Sequence, residues 1–244
     1  MCDCSVTYTL PEITPEEQYR QPAELQPGET TARISIYELL GAMLAVPDAE
    51  THIITVSAGW SASLGREAAL LSYPVYFGKP ALPPGASLEQ FHREYARLFG
   101  DHKGAGGIAP LIADAWFDEA DGDRHREEVA HFFEYYGMAL SPEDPRPAGH
   151  LATALEFMRH LTFSEAAACS PRLQQTFRAA QRDFLERMLI PWLPRLRDRV
   201  NASDRLGFWA WATNSIGAFA AADLACLQAP ASCNAQEPVA AHAS

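Results

Sequence analysis

Histidine, cysteine and clustered carboxylates are the residue types here that could ligate a metal or move a proton. Eight histidines are present, and none sits in His-Glu-x-x-His, the helical spacing that puts two imidazoles and a base on one zinc. His125 and His131 are six residues apart and so fall on different faces of one helix. Cys2-Asp-Cys4 has no further ligands beside it, whereas structural zinc takes four. The acidic run Asp118-Glu-Ala-Asp-Gly-Asp123 is reminiscent of a calcium loop. Setting Gly122 at the loop's glycine position places Glu119 and Asp121 at the third and fifth positions and Glu128 at the twelfth. The first ligand position then falls on Phe117, which cannot coordinate a hard cation. Gly104-Ala-Gly-Gly107 lacks the Gly-Lys-Ser/Thr ending of a phosphate loop, and there is no Gly-x-Ser-x-Gly elbow. No metal, cofactor or catalytic residue is expected.

One histidine stands out by position. Asp144-Pro-Arg-Pro-Ala-Gly-His150 is a proline- and glycine-bearing loop that runs straight into a helical pattern. In that pattern Leu151, Leu155, Met158 and Leu161 share a stripe, and Thr153, Glu156 and Arg159 are expected to face away.

The elements that position these residues are read as helices throughout. Ile34 to Val46 is one, stopped by Pro47, and Ser61 to Leu71 another. Ser87-Leu-Glu-Gln90 is a capping box opening a helix that buries Leu88, Phe91, Tyr95, Leu98 and Phe99. A glycine-rich loop over residues 101–111 follows. A helix from about Arg124 carries Val129, Phe132, Phe133 and Tyr136 and stops at Gly137. Ser170-Pro171 starts a long helix that Pro191 and Pro194 interrupt, and Asp204 begins the last one. The fold class is all-α: a single helical bundle of about eight to ten helices, with a Pro/Gly hinge loop near residues 141–150. Residues 1–32 read as a flexible arm, 33–228 as the helical domain and 229–244 as a disordered tail.

With 48% apolar residues the chain has the means for a substantial core. Nineteen basic against thirty-one acidic residues give a net charge of −12, which disfavours nucleic acid and suits a cationic partner. Phe208 to Leu227, the most membrane-like stretch, is interrupted by Asn214 and Asp223 and reads as a buried helix. Residues 1–6 carry no basic stretch leading into an apolar run, and five scattered cysteines do not make a disulfide framework. A reduced, cytoplasmic setting is expected, with no membrane insertion.

Three blocks carry a resemblance. Tyr95-Ala-Arg-Leu-Phe99 is followed by Pro110-Leu-Ile-Ala-Asp-Ala-Trp116-Phe-Asp118. Glu127 to Tyr136 then leads through Gly137-Met-Ala-Leu-Ser-Pro142 to the hinge with His150 and Leu155-Glu-Phe-Met158. In order and spacing over residues 88–162 these are similar to the TorD/DmsD/NarJ chaperones of molybdoenzyme maturation. Leu189-Ile-Pro-Trp192-Leu-Pro194 resembles a later segment of the same family. The pattern leans towards the subgroup serving dimethylsulfide and ethylbenzene dehydrogenases and chlorate and selenate reductases.

The resemblance implies a cytoplasmic chaperone without turnover. Such a protein holds the apo catalytic subunit of a molybdopterin enzyme for cofactor insertion and masks its twin-arginine leader, as a monomer or a domain-swapped dimer. A leader offers two arginines and an apolar stretch, so its receptor needs carboxylates beside an apolar groove. Asp114, Trp116, Phe117 and Asp118 offer that combination, with Tyr95, Phe99, Asp144 and His150 as further candidate contacts. The family's hinge commonly reads Glu-x-Pro-Asp-His, whereas this chain has Arg146-Pro-Ala-Gly149-His150. Glycine neither accepts a hydrogen bond nor holds charge there, and Asp144 or Glu143 are the nearby replacements. Two other readings stay open: an all-α enzyme using His150 as acid or base, and an oligomeric scaffold.

Overall fold

In a computed structural model of the chain, the described residues are 19, 25–100, 106–141, 144 and 146–229. Cys2 and Cys4, most of the expected arm, residues 101–105 of the glycine-rich loop, Glu143 and the tail beyond Ala229 lie outside them. Among the described residues there are nine α-helices, a 3₁₀ turn and a short π segment (Leu185–Leu189), and no strand beyond isolated bridges.

The helices are α1 (Glu29–Ala42), α2 (Ala49–Val56), α3 (Gly59–Ala68), α4 (Leu88–Phe99), α5 (Glu119–Tyr135), α6 (Leu151–Ala167), α7 (Pro171–Phe184), α8 (Leu193–Ser203) and α9 (Phe208–Gln228). Their ends follow from local chemistry. Ser87 Oγ accepts from Gln90 N while Gln90 Oε1 accepts from Ser87 N at 2.7 Å, so α4 opens on the reciprocal box read from sequence. Ser170 caps α7 with Pro171 in its first turn. Gly137, at φ 71°, stops α5.

Some boundaries differ from expectation. The first helix starts at Glu29, inside the segment expected as arm, because Thr31 Oγ1 accepts from Gly28 N at 2.8 Å and closes the first turn there. Helix α2 was not anticipated. Asp48 and Thr51 cap it reciprocally, the carboxylate accepting Thr51 N at 2.8 Å. Helix α5 begins at Glu119 with Asp118 as its cap, so the calcium-like run is a helix start. Asp204 does brace the last helix, accepting Leu206 N and Ala210 N, although α9 itself begins at Phe208.

Helix α6 is the axis of the bundle, with α1 and α7 packed on it. Leu151, Leu155, Phe157, Met158 and Leu161 are buried, and each contributes about 1.5–3 kcal/mol. The expected polar face is only partly present. Glu156 and Arg159 are half-buried, but Thr153 is fully buried, as are Thr162 and Ser164. Thr162 survives there by donating to Met158 O at 2.7 Å.

A buried ionic network joins α1, α6, α7 and α9. Arg33 Nε bonds Asp223 Oδ1 at 2.6 Å, Nη1 bonds Glu165 Oε2 at 3.1 Å, and Nη2 bonds Gln181 Oε1 at 2.5 Å. Tyr37 and Tyr73 donate to the same Asp223 carboxylate at 2.5 and 2.7 Å. Burial works against the charge on Asp223, yet the Arg33 cation and these donors hold its carboxyl below the usual range.

Candidate functional site

The hinge is positioned by a short antiparallel pairing. Residues 111–113 run beside 149–151: Ala113 N donates to Gly149 O at 2.9 Å and Leu151 N to Leu111 O at 2.8 Å. Upstream, the chain doubles back over the end of α4. Ile108 N and Ala109 N bond Arg97 O and Leu98 O, and Gly107 passes so close that a Cβ would lie 2.3 Å from Leu98 O. A 3₁₀ turn, Ala113–Trp116, then delivers Asp114 and Trp116 to the hinge before α5 begins.

His150 is the N-cap of α6. Its Nδ1 accepts from Ala152 N at 3.1 Å, which places the proton of the neutral ring on Nε2. That nitrogen is buried with no partner among the described residues, and the whole residue is 1% exposed. Burial, with the Arg146 cation nearby, pushes the imidazole down to about 4. His150 is therefore neutral at physiological pH and closed to solvent. That does not suit an acid/base catalyst, whose working atom must reach its substrate.

Asp114 comes from the 3₁₀ turn that follows the paired segment. One carboxylate oxygen is held by Arg126 at 2.7 Å, while Oδ1 is buried without a partner among the described residues and faces Gly149. Trp116 is half-buried, donates Nε1 to Pro110 O at 3.0 Å, and accepts on its own carbonyl from Arg195. Phe117 packs on His125 at 5.0 Å between ring centres, with the rings tilted by 30°. Asp118 is exposed and caps α5 through a 3.0 Å bond from Asp121 N.

Asp144 is the hinge's own carboxylate, and it is already paired. Arg146 bonds it through Nε and Nη2 and reaches on to Glu156 of α6. Burial opposes the charge on Asp144, but the Arg146 bonds prevail and hold its carboxyl low.

The structure thus gathers Asp114, Trp116, Phe117, Asp118, Asp144 and His150 at one end of α5 and α6. Tyr95 and Phe99 stand apart from them. Both are core residues, at 4% and 0% exposure, packed on each other and on Trp209, with the Tyr95 hydroxyl donating to Leu44 O. They face inward because the stripe containing Phe91, Tyr95, Leu98 and Phe99 is the buried face of α4. The sequence reading missed Arg126, Arg146 and Glu156. Only Asp144-x-Arg146 carried a local signal, an acid and a base two residues apart in a proline loop.

Among the described residues no group of His, Cys, Asp and Glu could hold a metal ion, and no helix is long and apolar enough to cross a membrane. A broad groove elsewhere lies between α3 and residues 71–79, floored by Ala62, Gly65 and Ala69. Tyr76 beside it is 89% exposed, and Ile53, Val56 and Leu70 are exposed nearby.

Comparison with known proteins fits this arrangement. Residues 65–198, more than half of the chain, match the family described as nitrate reductase delta subunit. The selenate reductase assembly chaperone protein of Thauera selenatis is 42% identical over 122 residues, covering 50% of this chain and 63% of that protein. The chlorate reductase assembly chaperone protein of Ideonella dechloratans is 32% identical over the same coverage. The perchlorate reductase assembly chaperone protein of Dechloromonas aromatica is 29% identical over 71% of this chain and 80% of its own length. The match spans less than two thirds of the selenate and chlorate relatives. The family match takes in the hinge, the Asp114 turn and α4 to α7, and the chain belongs to the nitrate reductase delta subunit family, of the TorD/NarJ type.

Proposed function

We propose that this protein is a cytoplasmic assembly chaperone for a molybdopterin-containing oxidoreductase. It binds the apo catalytic subunit, holds it for insertion of the molybdenum cofactor, and engages its twin-arginine leader before export. The observation that carries this reading is the site's composition together with its relatives. Asp114 reaches Gly149 beside a buried, neutral His150, with Asp144 in the same loop, in a chain whose relatives are named assembly chaperones.

The physical case is simple. A leader arginine needs a carboxylate acceptor at a surface, and Asp114, Asp118 and the Asp144–Glu156 pair are the acceptors at this end of the molecule. Trp116 is half-exposed beside them, and stacking of a guanidinium on its ring is worth about 0.5–2 kcal/mol. The exposed Ile53, Val56, Leu70 and Tyr76 offer apolar area for an unfinished client.

Calorimetric titration with twin-arginine leader peptides, beside Lys-Lys versions, tests the leader half of the reading. Binding that needs the arginine pair and weakens with salt is expected, because exposed charges are screened within about 8–10 Å. Equal binding of the Lys-Lys peptides counts against arginine recognition.

A further inference from the structure

Three side chains of the hinge form a closed ionic unit. Arg146 Nε lies 3.0 and 3.1 Å from the two oxygens of Asp144, and its Nη2 lies 2.5 Å from Oδ2. The same Nη2 lies 3.0 and 3.2 Å from the oxygens of Glu156 on the second turn of α6. The Arg146 backbone N–H also bonds Asp144 Oδ1 at 2.9 Å. One carboxylate meets the planar fork edge-on and the other meets its outer nitrogen. That arrangement matches a guanidinium and not the point charge of an ammonium.

The two carboxylates come from different parts of the chain: the Glu156 backbone belongs to α6, and Asp144 accepts the Arg146 main-chain N–H as well as its guanidinium. The guanidinium itself hangs from a loop next to Pro147. Arg146 is also an extra cation at the end of the molecule where carboxylates gather.

We propose that Asp144 and Glu156 form a seat for an arginine side chain of the partner, and that Arg146 occupies this seat in the free protein as an internal stand-in that the partner displaces. The inference rests on reading the hinge as the client-binding site. Self-occupancy satisfies two carboxylates that would otherwise repel each other. It also sets a threshold, since an incoming cation must outcompete a tethered one before it binds.

Chemical rescue tests the seat without any leader. The full chain carrying Arg146→Ala is melted with millimolar guanidinium chloride against equal sodium chloride. Guanidinium is expected to raise its Tm while leaving the wild type and Arg146→Ala/Glu156→Gln unmoved. Absence of that specific rise overturns the seat. Should Arg146→Ala fail to fold, Arg146→Gln serves in the same assay.

Competition is then read with a twin-arginine leader peptide. Arg146→Gln is expected to bind it about fivefold or more tightly than wild type, because the competent state is no longer a minor population. Equal or weaker binding makes Arg146 a structural staple and overturns self-occupancy. If no variant binds any leader while rescue holds, the seat stands, and the leader reading falls together with competition for it.

Discussion

Asp114 stands directly over Gly149: a Cβ at that glycine would lie 3.5 Å from Asp114 Oδ1. The acidic side chain that the resemblance leads one to expect just before His150 is missing from the hinge loop, yet a carboxylate reaches the same place from the 3₁₀ turn of the facing segment. Two carboxylates at this spacing would repel by about 1–4 kcal/mol in a partly exposed setting. Gly149→Asp is therefore expected to destabilise the fold by that order in urea unfolding. Adding Asp114→Asn should recover most of the loss, so a cycle with no coupling between the two positions would contradict the contact.

Arg33 should be the most sensitive charged position in the molecule. Arg33→Met leaves Asp223 buried without a counter-charge, while Glu165 keeps Arg178, and a loss of about 3–5 kcal/mol in denaturant unfolding is expected. The exposed pair Arg93–Glu89 should change stability by less than about 1 kcal/mol when broken. Similar losses at both positions would mean that the network is not buried as described.

Acid should weaken the protein through His150. Its imidazole lies at about 4 in the fold against an ordinary 6.5, so between those values the unfolded chain takes up a proton that the folded chain refuses. Stability is therefore complete above about pH 6.5 and falls as pH drops towards 4, by about 3 kcal/mol over the window. His160, lowered chiefly by its own burial, adds loss of the same sign. Asp144 and Asp223 act only below the ordinary carboxylate range, since their folded values are depressed. His150→Asn keeps a capping acceptor and should flatten the pH 4–6.5 slope of Tm; an unchanged slope would assign it elsewhere.

Tyr95 and Phe99 should behave as core residues. Phe99→Ala is expected to cost about 3–5 kcal/mol. Tyr95→Phe should cost about 1 kcal/mol, from the lost bond to Leu44 O. Neither should alter leader affinity per folded molecule, whereas Trp116→Ala should weaken it per folded molecule. Reversed effects would put the binding surface on α4.

The architecture was legible where the signal is local. The Ser87–Gln90 box, Ser170-Pro171 and Gly137 each mark a helix end through bonds made within a few residues. Asp48 and Thr51 carry the same kind of local signal for α2. The burial of α6 was not legible, because Thr153 reads as part of a polar face with Glu156 and Arg159 until neighbouring helices are known to cover it. The Arg33 network joins positions 132 to 190 residues apart, and no spacing rule reports such a contact. At the site, the sequence supplied the hinge and the Asp114–Asp118 segment. It could not show that Asp114 meets Gly149 across a strand pairing, or that Arg146 fills the carboxylates.

Affinity capture of the tagged chain from its native host, with and without molybdate, tests the central claim most directly. Mass spectrometry should recover the catalytic subunit of a molybdopterin oxidoreductase with its leader still attached. The yield should be higher under molybdate starvation, when the apo form accumulates. Recovery of no molybdoenzyme subunit, or of the cofactor-loaded form in equal measure, would contradict the account.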